Sequence, residues 1–199
     1  MCLYPKLIQN PKYTNTKKNG GNIPPIKDNR VTKVPIGCGK CIECVKQKAR
    51  EWQVRLLEDV RHHKNGMFVT MTFSNESIAK LAKEIKGLKG YDLDNEIATL
   101  ATRRFLERWR KKYEKSIRHW FITELGHEGT ENIHMHGIVW TDESIEEVER
   151  IWNYGIMWKG KYLGEGKYKN FVNEQTVNYL TKYVHKIDQK HKYYKAEVS

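Results

Sequence analysis

The sequence predicts an α+β protein: a mostly antiparallel central sheet with helices packed on it, and a basic N-terminal arm. Two apolar segments rich in β-branched and aromatic residues, 120–125 and 133–140, flank a short polar loop containing two glycines. That pattern is typical of paired strands. Amphipathic helical patterns lie on both sides of the pair and can cover the sheet. We therefore expect an arm over residues 1–48 and a domain over residues 49–199.

The elements follow from local patterns. The arm is expected to be irregular up to Ile36, because it carries Lys-Lys-Asn-Gly-Gly-Asn and Pro-Pro turn signals. Helix 144–152 is expected to be capped by Thr141 or Asp142. The other expected elements, in chain order, are helix 44–62, strand 68–73, helices 77–85 and 94–114, a hairpin within 155–171, and helix 175–187.

The charge is unevenly distributed. Of a net charge of +12, residues 1–48 contribute +8, residues 49–154 contribute −1 and residues 155–199 contribute +5. Basic ends around a neutral middle favour nucleic acid as the partner, because phosphate backbones release counterions when they bind such ends. No apolar run approaches the about 20 residues of a membrane span, and residues 1–10 are too short and polar for a secretory signal. We expect a soluble, intracellular protein without a membrane partner.

Two histidines stand one pleat apart in the predicted strand Ile133–Trp140. His134 and His136 would share a face, and two neutral imidazoles so placed can hold one metal ion. Glu124, at the end of the preceding strand, could add an oxygen ligand that suits Mg²⁺ or Mn²⁺. His127 is a weaker alternative for the third ligand. A chance His-x-His pair and an exposed strand-end glutamate remain the alternative interpretation.

The predicted helix 175–187 carries a second polar pattern. Tyr179, Lys182, Tyr183 and Lys186 form one stripe, and Val177, Leu180, Val184 and Ile187 form a separate apolar stripe. The core face is thus filled without the tyrosines. A phenol oxygen can attack phosphorus, and a neighbouring ammonium can stabilise the charge that develops. An amphipathic helix with half-buried tyrosines and solvated lysines explains the same pattern without chemistry.

The segments HMHGIVW and YLTKYVHK resemble the His-hydrophobic-His motif and the two-tyrosine helix of HUH endonucleases. FVTMTF resembles the strand that precedes both motifs in rolling-circle replication initiators, and the three occur in that order over about residues 68–186. The segments MCLYPKL, VPIGCGKCIEC and REWQVRL further resemble the replication initiators of gokushovirus-like microviruses, which are small single-stranded DNA phages.

The resemblance implies a metal-dependent nickase that starts rolling-circle replication. His134, His136 and Glu124 would hold Mg²⁺ or Mn²⁺, and Tyr179 or Tyr183 would attack the origin strand, leaving a 5′-phosphotyrosine and a free 3′-hydroxyl. Lys182 and Lys186 would supply positive charge, and the second tyrosine would let the strand be rejoined as a circle. The implied partners are single-stranded and origin DNA with a host polymerase and helicase, in the cytoplasm of an infected bacterium.

Cys38, Cys41 and Cys44 have metal-ligand spacing, and Cys2 is the remaining cysteine of the chain. Together they could form a structural Cys₄ zinc site that anchors the arm. An iron–sulfur site and idle thiols are the alternatives. Candidate DNA-binding residues are Lys40 in the cysteine segment, Lys159, and Trp158, which could stack on an unpaired base.

Two classes of function compete. One is the nickase. The other is a non-enzymatic, zinc-stapled nucleic-acid-binding protein, which the charge and the cysteines support equally well. A transposase or relaxase with the same motifs also remains open. The His pair and the tyrosine stripe distinguish the classes, since a simple binding protein needs neither. No P-loop pattern is present, so unwinding would need a separate helicase.

Overall fold

The structure is a computed structural model, and it describes residues 2–126, 131–165, 167–186 and 194–199. The chain divides into two compact units, Met1–Lys48 and Ala49–Ser199. The boundary falls within the first long helix, α1 (Ile42–His62).

The N-terminal unit contains a two-stranded antiparallel ribbon. Strand β1 (Lys6–Gln9) pairs with β2 (Lys33–Ile36), and Lys6 lies opposite Ile36. The Asn10 side chain donates a hydrogen bond to the Val31 carbonyl over 2.8 Å and closes the ribbon. The expectation of an irregular arm up to Ile36 was therefore wrong for these segments. The strands are short, distant in sequence and mostly exposed, so they carry no burial pattern that would reveal them.

The second unit is built on a four-stranded antiparallel sheet with the strand order β4-β5-β3-β6. Its bounds are β3 (Gly66–Met71), β4 (Arg118–Leu125), β5 (Ile133–Trp140) and β6 (Met157–Trp158). The predicted α+β class, the hairpin β4–β5 and the antiparallel sheet are confirmed. A separate hairpin, β7 (Lys161–Gly164) and β8 (Lys167–Lys169), lies within the predicted segment 155–171.

Both faces of this sheet are covered, which explains why its strands are apolar almost throughout. Helices α2 (Asn75–Glu84), α3 (Gly90–Tyr113) and α4 (Ile145–Trp152) contribute to the core on one face. On the other face a smaller core includes Leu56 of α1 and residues of α5 (Glu174–Thr181). The histidines and tyrosines of interest lie on this second face.

Two local predictions needed correction. Helix α4 is capped by Ser144, whose hydroxyl accepts from the Glu147 amide over 3.2 Å, and neither Thr141 nor Asp142 is the cap. The last helix was expected to run to residue 187, but α5 ends at Thr181 and continues as a 3-10 turn over Lys182–Val184. A 3-10 turn advances about 120° per residue in place of 100°, and this rotation changes where Tyr183 lies.

Residues near the C-terminus extend the sheet at the outer edge of β4. Phe121 and Ser199 exchange two backbone hydrogen bonds of 2.9 Å, and the Thr123 amide donates to the Glu197 carbonyl over 3.0 Å. The buried Asn95 side chain holds this segment by donating to the Lys195 carbonyl over 2.9 Å. The strand that carries Glu124 is thus paired on both sides.

Candidate metal and tyrosine site

The strand register brings Glu124 and both histidines together. Glu124 lies directly opposite His134 in the β4–β5 ladder, and Ile122 lies opposite His136. Because alternate residues share a face, His134, His136 and Glu124 all project from the second face of the sheet. Gly137, which directly follows His136, has no room for a side chain. A Cβ atom there would lie 2.3 Å from the Trp120 carbonyl oxygen. The close β4–β5 approach that aligns the site therefore depends on glycine.

The carboxylate of Glu124 is the centre of the group. Its Oε2 atom lies 2.8 Å from Nε2 of His136 and 3.4 Å from Nε2 of His134, and Oε1 accepts a hydrogen bond from Lys186 Nζ over 2.6 Å. Burial raises the pKa of Glu124, but the hydrogen bonds from His134, His136 and Lys186 outweigh it and hold that pKa far below its usual range. Burial also lowers the pKa of His136, against the pull of the carboxylate. The group thus favours a charged carboxylate beside a neutral imidazole.

This donor set fits a divalent cation. One ligand atom from each of the three side chains lies within 4.8 Å of the others. The Nδ1 atoms already have other partners: the Thr70 hydroxyl at 2.9 Å from His136 and the Asn132 carbonyl oxygen at 3.5 Å from His134. Such outer contacts orient both Nε2 atoms toward the carboxylate, as in known metal sites. The predicted set His134, His136 and Glu124 could hold a metal ion, whereas His127 lies outside the described residues.

The two tyrosines lie against the histidines but differ in exposure. The Tyr183 ring stacks on His136, with centroids 5.0 Å apart at 17°, and the side chain belongs to the second-face core. Tyr179 is 39% exposed, whereas Tyr183 is 7% exposed. The Tyr183 hydroxyl donates to the Tyr179 hydroxyl oxygen over 2.5 Å. Burial, with this contact, raises the pKa of Tyr183. The expectation that both tyrosines project away from the core holds for Tyr179 only.

Two lysines place positive charge beside the phenols. Lys182 Nζ lies 4.0 Å from the centroid of the Tyr179 ring and 5.2 Å from that of Tyr183. Lys186 Nζ lies 5.1 Å from the centroid of the Tyr183 ring while it bonds Glu124. All seven residues predicted for the site therefore lie together. They are Glu124, His134, His136, Tyr179, Lys182, Tyr183 and Lys186. Phosphate groups, which are anionic, would be attracted to the lysine side of this group.

Two residues of the site were not predicted from the sequence. Thr70, on β3, bonds Nδ1 of His136, and Phe68 lies parallel to the His136 ring at 6.3 Å and edge-on to Tyr179 at 5.9 Å. Thr70 is a polar residue between buried Val69 and Met71, and this alternation was the available signal. Phe68 has no such signal, because an aromatic residue in a strand is ordinarily read as core.

The three predicted DNA-binding residues lie in different surroundings. Trp158 is 48% exposed and lies edge-on to Phe68, with centroids 5.4 Å apart. Lys159 is partly neutralised by Glu149, whose carboxylate oxygen lies 2.7 Å from its Nζ. Lys40 is exposed in the N-terminal unit, between Cys38 and Cys41. Of the three, Trp158 lies next to the site residues.

The four cysteines of the N-terminal unit form a second candidate metal site. The Sγ atoms of Cys2, Cys38, Cys41 and Cys44 all lie within 4.8 Å of one another. Backbone amides point at the sulfurs: Cys38 N lies 3.2 Å from Cys2 Sγ, and Cys41 N lies 3.3 Å from Cys38 Sγ. The Leu3 amide in particular lowers the pKa of Cys41 to about 6. The predicted Cys₄ group is present and could hold zinc.

The fold and the site together define the class of protein: a carboxylate–histidine group lies beside tyrosines and lysines on one face of an antiparallel sheet. A family model described as replication-associated protein ORF2 matches residues 66–188, a span that includes β3, the histidine strand and the tyrosine segment. The chain belongs to this family of replication-associated proteins. Membership implies a part in DNA replication and contact with nucleic acid. No curated protein and no solved structure shows significant similarity to the chain.

A membrane-spanning role finds no support among the described helices, since none of them combines the length and apolar character that a span needs.

Proposed function

We propose that the protein is a metal-dependent DNA nickase that initiates rolling-circle replication of a small circular single-stranded DNA phage, in the infected bacterial cell. The observation that carries the proposal is the contact between two groups of side chains. Tyr183 stacks on His136 of the Glu124–His134–His136 group, and Tyr183 bonds the exposed Tyr179. The family membership supports a replication role, and the HUH pattern and the microvirus resemblance of the sequence support the finer assignment.

The side chains suit cleavage of a phosphodiester. Glu124, His134 and His136 would hold Mg²⁺ or Mn²⁺, which when bound polarises the scissile phosphate. Lys182 would stabilise negative charge on the attacking phenol and on the phosphate oxygens. Lys186 neutralises and positions Glu124. Each residue thus has a task that its contacts permit.

Tyr179 is the better candidate for the first attack because its ring is more exposed and its oxygen accepts the Tyr183 hydrogen bond. Its hydroxyl oxygen would bond to phosphorus while the bond from phosphorus to the 3′ oxygen breaks. The phenol loses its proton and the leaving 3′ oxygen takes one up, so the products are a 5′-phosphotyrosine and a 3′-hydroxyl that primes host polymerase. Rejoining reverses the step: a 3′-hydroxyl attacks the phosphotyrosine and the tyrosine oxygen leaves. Tyr183 would serve in a later transfer.

The test is cleavage of circular single-stranded DNA with and without Mn²⁺, followed by proteolysis and mass spectrometry of the protein. A nick that needs the metal, with nucleotide attached to Tyr179 or Tyr183, supports the proposal. The double variant Tyr179→Phe/Tyr183→Phe should lose cleavage and keep DNA binding nearly unchanged. If binding disappears with cleavage in a folded variant, the tyrosines are structural.

The second candidate function, a zinc-stapled nucleic-acid-binding protein, rests on the Cys₄ group and the +8 charge of residues 1–48. Tight binding of many DNA sequences with neither a nick nor an adduct, in Mg²⁺ and in Mn²⁺, would favour it. In that case Glu124 and the histidines would be a buried hydrogen-bonded cluster without a catalytic task.

A further inference from the structure

A cavity lies beside the metal and tyrosine site, at the β6 side of the sheet. Its volume is about 380 Å³, near the lower end of the range of small-molecule pockets. The lining includes Thr70 of β3, Glu149 of α4, Trp158 of β6 and Tyr168 of β8. Trp158 and Tyr168 are 48% and 38% exposed, so two aromatic side chains form walls that solvent can reach.

The strand register connects this cavity to the metal ligands. His136 lies opposite Thr70, and Thr70 lies opposite Trp158 on its other side, so the three residues form one row across the sheet. Adjacent strands are about 4.8 Å apart, which places the Trp158 backbone about 10 Å from that of His136. Thr70 both lines the cavity and bonds His136 Nδ1. An occupant of the cavity would therefore lie next to the metal ligands.

Both aromatic walls contact neighbouring side chains and still remain partly exposed to solvent. The Trp158 and Phe68 rings make an edge-to-face contact with centroids 5.4 Å apart, which restricts the Trp158 ring while it remains 48% exposed. Tyr168 has the Tyr162 ring at 5.3 Å between centroids, and Lys159 Nζ lies over its own ring at 5.4 Å from the centroid. Lys159 is in turn fixed by Glu149. Fixed aromatic rings with a nearby cation are what single-stranded nucleic acid binds, because every base has a face that can stack.

We infer that this cavity is a subsite for one unpaired nucleobase, adjacent to the scissile phosphate, with Trp158 as the stacking residue and Tyr168 as the opposite wall. Thr70 and Glu149 also line the cavity, and their side-chain oxygens, which contact His136, Met157 and Lys159, would accept from a base edge in addition to these partners. The inference rests on the proposed function, since it places the base beside the phosphate that the tyrosine would attack. The ligand class is a flipped-out or single-stranded DNA base, and the strand would run past His136 toward β6.

The test separates base contacts from phosphate contacts. Binding is measured by fluorescence anisotropy, without added metal, with homo-oligomers of dA, dC and dT about eight nucleotides long and with an abasic strand of the same length. The proteins are the unmodified chain, Trp158→Ala, Trp158→Phe and a matched control, Phe171→Ala. Phe171 is 55% exposed, is close in sequence and does not line the cavity.

The unmodified chain should prefer its best base-bearing strand over the abasic strand by on the order of tenfold. Trp158→Ala should lose most of this preference and still bind the abasic strand normally, with the same dependence on salt. Trp158→Phe and Phe171→Ala should keep it. Equal preference in Trp158→Ala and the unmodified chain, or no binding of single strands at all, would overturn the subsite.

Cleavage is scored separately with the same variants on circular single-stranded DNA in Mn²⁺. A chain that never cuts but loses its base preference in Trp158→Ala would contradict the nickase and leave the subsite standing. A chain that cuts through a tyrosine and shows no effect of Trp158 on base preference would contradict the subsite alone. The two proposals therefore fail in different ways.

Discussion

The hydroxyl of Tyr183 donates a hydrogen bond to the hydroxyl oxygen of Tyr179 over 2.5 Å, and the donor is the buried member of the pair. Tyr183 is also stacked on His136, so the tyrosine nearer to the candidate metal site is the one that solvent reaches least. Two residues that look equivalent in the sequence are therefore unequal in the structure, and this inequality can be tested.

Tyr179→Phe should reduce first-strand cleavage to background and remove the covalent adduct. Tyr183→Phe should keep the adduct and slow the first cut by about 10- to 150-fold, because a hydrogen bond to a charged group contributes about 1.5–3 kcal/mol. Single-turnover cleavage with adduct mapping measures both. An adduct on Tyr183 in the Tyr179→Phe variant, formed at the normal rate, would reverse the assignment.

Replacing Thr70 by valine should weaken metal binding without unfolding the protein. The hydroxyl lies 2.9 Å from His136 Nδ1, and loss of such outer contacts typically costs 10- to 100-fold in metal affinity. Electron paramagnetic resonance of free Mn²⁺ gives the affinity. Thr72→Val is the matched control, because the Thr72 hydroxyl donates to the Ile156 carbonyl and does not touch a histidine. Equal affinities in the two variants would argue against an orienting role for Thr70.

The cysteine group predicts about one zinc ion per chain, measurable by elemental analysis of protein purified without chelator. Cys41→Ser should lose the metal, and the amides of β1 and β2 should then exchange hydrogen faster than in the unmodified chain, while those of β3 and β5 keep their rates. Lys40→Ser, in the same turn, is the control and should retain zinc. Metal-free protein with unchanged exchange in the ribbon would mean that the thiols are idle.

A pH effect on stability is expected at the contact between α3 and α4. The Glu147 carboxylate accepts hydrogen bonds from Arg150, Lys112 and Tyr113, and the first two chiefly lower its pKa to about 2. The lowered pKa stabilises the fold above the unfolded-state pKa of about 4.3 and ceases to do so as the pH falls toward 2. Because Arg150 and Lys112 are largely exposed, the contribution should be about 1 kcal/mol.

Urea unfolding of the unmodified chain and of Glu147→Gln at a series of pH values checks this. The difference in unfolding free energy should be constant above about pH 5 and shrink as the solution becomes more acidic. A difference that grows with acidification would show that the carboxylate is not held ionised by its partners.

Sequence reasoning succeeded where burial leaves a periodic pattern. Strand β5 has the predicted bounds, residues 133 and 140, because residues at alternate positions are buried against α3 or carry the two histidines. Glu124 was expected beside the two histidines on the condition that the strands pair as a hairpin, and the β4–β5 register places it opposite His134.

Sequence reasoning failed where contacts between residues distant in the chain determine the local structure. The end of α5 at Thr181 turns Tyr183 under His136, and no local propensity in this segment marks that change. The ribbon β1–β2 joins segments separated by more than twenty residues through backbone hydrogen bonds, which are independent of side-chain type. The cavity beside Trp158 likewise needs four separate elements to be brought together.

Asn170 fastens the segment that contains the hairpin β7–β8 to strand β3. Its amide nitrogen donates to the carbonyls of Phe68 and Lys159, over 2.7 and 3.1 Å, and its amide oxygen accepts from the Phe68 amide over 2.9 Å. One side chain thus ties both ends of the intervening segment to β3. The hairpin β7–β8 lies inside that segment, and its two strands pair with each other. We expect that a different hairpin grafted there would change the base preference of the proposed subsite, to which Tyr168 contributes, and would leave the β4–β5 register of the candidate metal site unchanged.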